Sequence, residues 1–270
     1  MRRSRVLDNI NKGLPSYGVS LHLASPAMYE LVSLMGFDAI WIDMEHHSLS
    51  LERAEQLIRS ARVGGTDIVA RPAKGEFMRM SRMLEIGATG IMYPRCNSAE
   101  EAAEVVKWAK FPPMGERGCD AAGPDADYQL TPLAEYLKQA NERTFVIIQI
   151  EEPSVLEHAE AIAAVPGVDM LMLGPGDFSI LSGVPGQMEH PTVLDALDKV
   201  ATAAKNAGKH WAATCASPAK IKEAVDKGAS LTFHGNDQVF AKMGFDNLKQ
   251  EIEKMSGRTL CGRRDETVRE

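Results

Sequence analysis

Short apolar runs rich in β-branched residues alternate along this chain with longer stretches in which apolar residues return every three or four positions. The short runs fall at residues 18–23, 39–43, 67–71, 90–94, 145–151, 169–173, 210–214 and 230–234. Several are apolar without a break, as in Phe145-Val146-Ile147-Ile148 and Met170-Leu171-Met172-Leu173. Such runs fit parallel strands covered on both faces, because a strand with one wet face would alternate. Between them, Leu51, Ala54, Leu57, Ile58 and Ala61 share one face of a helix, and Val193, Leu194, Leu197, Val200, Ala201 and Ala204 share one face of another. Gly36, Gly64-Gly65, Gly87, Gly208 and Gly228 stand where these helices would end, the usual place of a left-handed cap. Strand–helix alternation repeated eight times predicts a closed barrel or a doubly wound sheet. Eight units within about 240 residues favour the barrel. The expected fold class is α/β, a single (β/α)8 TIM barrel.

The length of 270 residues changes nothing in this picture, since one such barrel needs about 250. Residues 1–255 are read as the barrel and 256–270 as a charged tail without apolar period, expected to be mobile or to lie on the surface. Residues 111–130, rich in Gly, Pro and Asp, exceed the usual short connection and are a candidate functional loop. A formal net charge of −7 argues against a nucleic-acid surface, which would show a basic patch. Residues 1–10 are basic but have no apolar run behind them, so they do not read as a secretory signal. No stretch approaches the roughly 18 apolar residues of a membrane span. Cys96, Cys119, Cys215 and Cys261 are scattered without a C-x-x-C pair, which suggests neither a zinc knuckle nor a disulfide framework. The cytoplasm is the simplest compartment for such a chain.

In a barrel of this kind the chemistry sits at the carboxyl ends of the strands. Asp43-Met44-Glu45-His46-His47 follow the second run, Arg71 ends the third, Gln149 and Glu151 end the fifth, and the sixth enters Gly174-Pro175-Gly176-Asp177. His234 and Asn236 follow the eighth. Glu151 and Asp177 are the candidate ligands of a hard divalent cation, Mg2+ above all, with Mn2+ or Co2+ as alternatives, which takes oxygen donors and keeps several waters. The glycine-rich turn also offers backbone N–H groups to a carboxylate. The plainer readings are that Glu151 caps the next helix and that the glycines only make a tight turn. His46 is a candidate general base, since imidazoles ordinarily titrate near pH ~6.5. His47 is read as its solvated neighbour. Arg71 can stabilise an enolate oxygen, or close the barrel end through an ion pair with Asp43 or Glu45, or do both. His22, His158, His190 and His210 read as structural. No expected strand contains a lysine, and Lys74 in the loop beyond Arg71-Pro72 is the nearest. Schiff-base catalysis needs a desolvated lysine, so a metal mechanism leads, with no organic cofactor expected.

Five segments in order strengthen this reading: residues 41–46 (Trp-Ile-Asp-Met-Glu-His), 69–72 (Val-Ala-Arg-Pro), 111–118 (Phe-Pro-Pro-Met-Gly-Glu-Arg-Gly), 149–151 (Gln-Ile-Glu) and 174–179 (Gly-Pro-Gly-Asp-Phe-Ser). Together they resemble the HpcH/HpaI family of class II, pyruvate-dependent aldolases, whose best-known members cleave 4-hydroxy-2-oxoheptanedioate. The resemblance runs from about residue 5 to 250. It implies that Glu151 and Asp177 hold the metal and that Gln149 holds a metal-bound water. By the same resemblance, Arg71 meets the 2-oxo oxygen, His46 works as acid and base through water with Asp43 beside it, and the amides around Gly174, Gly176 and Asp177 receive the substrate carboxylate. It further implies that Glu85 reaches the site of a neighbouring subunit in a homo-oligomer, a hexamer built as a dimer of trimers, with the last helix exchanged between subunits. The substrates so implied are a pyruvate- or oxaloacetate-like 2-oxo acid and an aldehyde. The departures are Ser20 and His22 in the first strand, where the best-known members carry a bulky aromatic and a glycine, Glu85 for a frequent aspartate, His234 and Asn236 for smaller or different residues, and Gly176 for a common alanine. The metal and base positions are intact, whereas the acceptor pocket is altered. Rival expectations are oxaloacetate decarboxylation or macrophomate-synthase-like chemistry on the same enolate, and a catalytically silent binding barrel.

Overall fold

The structure is a computed structural model that describes residues 1–262. Eight parallel strands close a barrel in sequence order. They are β1 (Ser16–Leu21), β2 (Ala39–Asp43), β3 (Asp67–Arg71), β4 (Gly90–Tyr93), β5 (Phe145–Ile150), β6 (Met170–Leu173), β7 (His210–Cys215) and β8 (Leu231–Asn236). All eight expected runs are strands. The main adjustments are at β1, which starts and ends two residues early, and β8, which runs two residues later and takes in Asn236. His22 and Glu151 therefore stand just past strand ends, at the mouth.

Alternation along each strand sorts the core into two layers. Ala39, Trp41, Val69, Met92, Phe145, Ile147, Met170, Met172, Ala212, Leu231 and Phe233 fill the barrel interior. Ile40, Ile42, Ile68, Ala70, Val146, Ile148 and Leu171 face the helices. Interior packing pairs large with small. A Cβ on Gly18 would lie 2.5 Å from the Phe233 ring, and one on Gly90 2.5 Å from the Phe145 ring. The same alternation continues Trp41 into Asp43, Val69 into Arg71 and Ile147 into Gln149, so those polar side chains arrive on the inner face at the carboxyl end.

The amino end is closed by a helix over Arg5–Asn11 that the hydrophobic pattern did not announce. Val6 joins the interior cluster. Fully buried Asp67 at the start of β3 accepts hydrogen bonds from Ser4 Oγ (2.6 Å) and the Val6 amide (2.9 Å). Among the described residues this helix covers the amino end, and the polar side chains gather at the other.

Residues 111–130 connect helix Ala99–Ala109 to helix Leu133–Arg143. They lie at the amino end of the strands, and none of them lines the mouth. Their order has a local cause. Arg117 is buried, pairs with Asp125 at 2.8 Å and lies over the Phe111 ring, while Lys110 Nζ donates to the Thr144 carbonyl at 2.6 Å. The last helix, Asp237–Ser256, buries only Asp237 and exposes Phe240, Met243, Phe245 and Leu248. Of the tail read at 256–270, residues 263–270 lie outside the described residues. No described helix is long and apolar enough to cross a membrane.

Candidate active site

Arg71 is the hub of the mouth. Its Nε and Nη2 donate to the two oxygens of Asp43 at 3.0 and 2.7 Å, and its Nη1 reaches Gln149 Oε1 at 3.5 Å. Its Nε also lies 3.2 Å from Glu45 Oε2, without a well-directed hydrogen bond. The guanidinium stacks 4.6 Å above the Trp41 ring. The ion pair offered as the plain reading of Arg71 is thus present. It does not exhaust the group, because the Nη1 contact is long for a hydrogen bond. Burial alone would raise the Asp43 carboxyl, but Arg71 and the amides of Glu45 and His46 pull it below its ordinary value. Asp43 is therefore a fixed anion that aims the guanidinium.

Glu151 is 2% exposed, and its Oε2 accepts the Arg95 amide at 2.8 Å. It makes no helix-capping hydrogen bond: no side chain caps the following helical turn over Pro153–His158. Burial pushes its carboxyl up; Arg71 and the Arg95 amide oppose this, Glu45 and Asp177 add to it, and the group is raised to about 7. Asp177 is half-buried in the first turn of helix Pro175–Leu181 and has no hydrogen bond or ion pair among the described residues. Gly174 is required between them, since a Cβ there would stand 2.0 Å from Glu151 Oε1. Its own amide is spent on the Ile150 carbonyl at 3.0 Å. That leaves the Gly176 and Asp177 amides, which open a helix and have no intrahelical acceptor.

Among the described residues no group of three or more His, Cys, Asp or Glu side chains is arranged to hold a metal ion. Two carboxylates that repel each other, one of them buried and raised, nevertheless form an oxygen donor pair with a deficit of positive charge. That fits a hard cation completed by water and substrate oxygens, and it does not fit a closed nitrogen–sulfur site.

His46 stands at the rim, its side chain 57% exposed, with Nε2 3.6 Å from Glu45 Oε2. His47, read as a solvated neighbour, is more enclosed. Its ring stacks on His22 at 4.2 Å and its Nε2 lies 3.8 Å from Asp43 Oδ2. His22 itself, read as structural, lines the mouth and shares a 3.0 Å hydrogen bond with Ser20 Oγ. The structural reading of His22 is thus corrected, while its naming with Ser20 among the departures in the acceptor pocket pointed to this place. Its two-residue offset from Ser20, on the inner face of β1, was the available signal. Glu85 lies away from this mouth in its own chain. It ends helix Phe77–Glu85, pairs with Arg82 at 3.0 Å, and borders a cleft of about 270 Å³ with Arg59 and residues 120–125.

The observed strands contain no lysine, and Lys74 Nζ is engaged by the Arg95 carbonyl (2.6 Å) and Glu101 (3.1 Å). An apolar cleft of about 270 Å³ beside helix Pro191–Asn206 contains Lys220, but that ammonium is held by Glu189 and Glu223. It offers no second acid–base constellation.

Known proteins resemble this chain over most of its length. The sequence profile of the family described as HpcH/HpaI aldolase/citrate lyase matches residues 16–241. The chain is 35% identical over 189 residues to 4-hydroxy-4-methyl-2-oxoglutarate aldolase cghB of Chaetomium globosum, covering 69% of this chain and 70% of that protein. It is 31% identical over 220 residues to 2-dehydro-3,6-dideoxy-6-sulfogluconate aldolase of Pseudomonas putida, covering 82% and 86%. The crystal structure of an HpcH/HpaI aldolase from Desulfitobacterium hafniense DCB-2 superposes with a TM-score of 0.84 at 31% identity, covering 90% of this chain and 96% of that one.

Proposed function

The chain belongs to the HpcH/HpaI aldolase/citrate lyase family and is a carbon–carbon lyase, and from that premise we propose that it is a metal-dependent class II aldolase cleaving a 4-hydroxy-2-oxo acid to pyruvate and an aldehyde. The observation that carries this reading is the facing pair Glu151 and Asp177 beside Arg71. A buried carboxyl raised to about 7 by burial and its acidic neighbours is a poor structural element and a good cation ligand. Mg2+, Mn2+ or Co2+ held there would act as a Lewis acid toward the carboxylate and 2-oxo oxygens of the substrate.

The protein groups divide the remaining work. The Gly176 and Asp177 amides at the helix start receive the substrate carboxylate. Gln149, buried beneath Arg71, holds a water in place. His46, through a rim water, takes the proton of the 4-hydroxyl as the C3–C4 bond breaks and the aldehyde leaves. The electron pair of that bond becomes the enolate of pyruvate, whose oxygen meets the Nη1 edge of Arg71. Protonation at C3 completes pyruvate. Asp43 keeps the guanidinium from swinging. All three proteins compared above are aldolases by name, which favours cleavage over simple decarboxylation.

Glu85 completes this reading only from another subunit. Its place beside the cleft bordered by residues 120–125, together with the apolar face of helix Asp237–Ser256, supports a homo-oligomer. The assembly proposed is a dimer of trimers with exchanged last helices.

The test is turnover of 4-hydroxy-2-oxo acids and of oxaloacetate before and after chelation. Loss with EDTA and recovery with Mg2+, Mn2+ or Co2+ supports the reading. Turnover indifferent to EDTA, with a borohydride-trapped pyruvate adduct on a lysine, overturns it.

A further inference from the structure

The mouth has two halves. Glu151 and Asp177 follow β5 and β6, whereas a pocket of about 390 Å³ opens over the ends of β1, β2, β7 and β8, with Arg71 and His46 at the boundary. A substrate whose 2-oxo acid end lies on the carboxylate side must place its aldehyde-derived end in this pocket. Its walls mix the apolar Trp41, Cys215 and Phe233 with uncharged polar groups. Ser20, His22, Thr214 and Asn236 line it, and Arg71, its lining cation, is already paired with Asp43 and Glu45.

Donors are left over. Among the described residues Thr214 Oγ1 and Asn236 Nδ2 make no hydrogen bond, while Asn236 Oδ1 is used to cap the last helix at 2.9 Å. The His22 ring is held in place by Ser20 and His47, and its backbone is held by the Asp237 carboxylate, which accepts the His22 and Leu23 amides at 2.9 Å each. Burial and the neighbouring His47 lower the His22 pKa, so the ring is neutral near pH 7.

Resting on the aldolase reading, we infer that the acceptor aldehyde is a short hydroxylated aldehyde, recognised through its hydroxyl groups by Ser20, His22, Thr214 and Asn236. A carboxylated semialdehyde would bring a second anion beside Asp43, and among the described lining residues the guanidinium of Arg71 is already paired with Asp43 and Glu45. A plain alkyl aldehyde would cover the unpartnered Thr214 and Asn236 groups with nothing to bond, a penalty that hydrogen-bonding sites use to reject deoxy analogues. In the condensation direction, pyruvate C3 loses a proton and bonds to the aldehyde carbon. The carbonyl oxygen takes a proton to become the 4-hydroxyl, and the acceptor's own hydroxyl survives at C5 or beyond.

The experiment measures kcat/KM for the Mg2+-loaded enzyme with pyruvate and glyceraldehyde, propanal or succinic semialdehyde. Wild type is expected to prefer glyceraldehyde over propanal by about tenfold or more. His22→Leu and the isosteric Thr214→Val, on different strands, are each expected to shrink that ratio by about tenfold by lowering glyceraldehyde far more than propanal. Preference for propanal or succinic semialdehyde in the wild type, or equal loss on both aldehydes in both variants, overturns the assignment. Exchange of the pyruvate methyl protons in D2O, run on the wild type without aldehyde, separates the two levels. Exchange with the wrong acceptor preference refutes only the acceptor class. No exchange with any of the three metals refutes the aldolase reading and this inference with it.

Discussion

Glu151→Gln tests the central premise in a way that needs no substrate. In the metal-free protein the Glu151 carboxyl is raised from 4.5 to about 7, chiefly by burial. A group whose folded value lies above its unfolded one lends its stability below the unfolded value and loses it as pH rises through the folded one. The wild type should therefore lose about 3 kcal/mol between low pH and pH 8, and less than about 1 kcal/mol of that by pH 5. Glutamine keeps the shape and an acceptor for the Arg95 amide but cannot ionise. The Arg95 bond to the carboxylate already holds the raised value down, so the variant should exceed wild type by about 3 kcal/mol at pH 8, or roughly 6–12 °C in Tm for a domain of this size. At pH 5 the two should nearly coincide. The assay is thermal and urea unfolding at both pH values in EDTA, repeated with saturating Mg2+. Magnesium should stabilise the wild type and not the variant, reversing their order at pH 8. A variant no more stable than wild type in EDTA at pH 8 would show that Glu151 is not an uncompensated buried acid, and one stabilised equally by Mg2+ would show that it is not a ligand.

Gly174→Ala places a Cβ 2.0 Å from Glu151 Oε1, so it should displace that carboxylate and abolish the Mg2+-dependent rise in Tm, with a loss of folding stability of about 1–3 kcal/mol from overpacking. His46→Ala should keep metal binding by calorimetry yet slow aldol cleavage about 10²–10⁴-fold, while sparing oxaloacetate decarboxylation, which removes no hydroxyl proton. Cleavage at the wild-type rate would move the base to His47, whose Nε2 lies 3.8 Å from Asp43. Glu85→Ala should lower kcat and leave metal affinity unchanged, and a fully active monomer in sedimentation at assay concentration would refute a shared site.

The residues by themselves determined the barrel and the identity of its open end. Eight buried runs joined by amphipathic helices have few other ways to cover both faces of a parallel sheet. Strand alternation then carried Asp43, Arg71 and Gln149 inward, since side chains two apart share a face. Other features depended on closure of the ring. That Arg71 of β3 grips Asp43 of β2 and reaches Gln149 of β5 is a matter of register and curvature, which no local pattern records. The same holds for the pressure of Asp177 on Glu151, which comes from strands adjacent in space, and for Gly174, whose missing side chain matters only because Glu151 occupies its place. Residues 111–130 stood out in the sequence by length and composition, yet a connection's composition does not say at which end of a barrel it lies. Its position after a helix put it at the amino end, far from the mouth. The contacts of His22 were hidden for the complementary reason. A lone histidine past a strand acquires meaning only when a second element, the loop bearing His47, and a third, the buried Asp237 of the last helix, fold against it. Periodicity is written in neighbouring residues, whereas a site is written in distances across the barrel, and those exist only once the chain has closed.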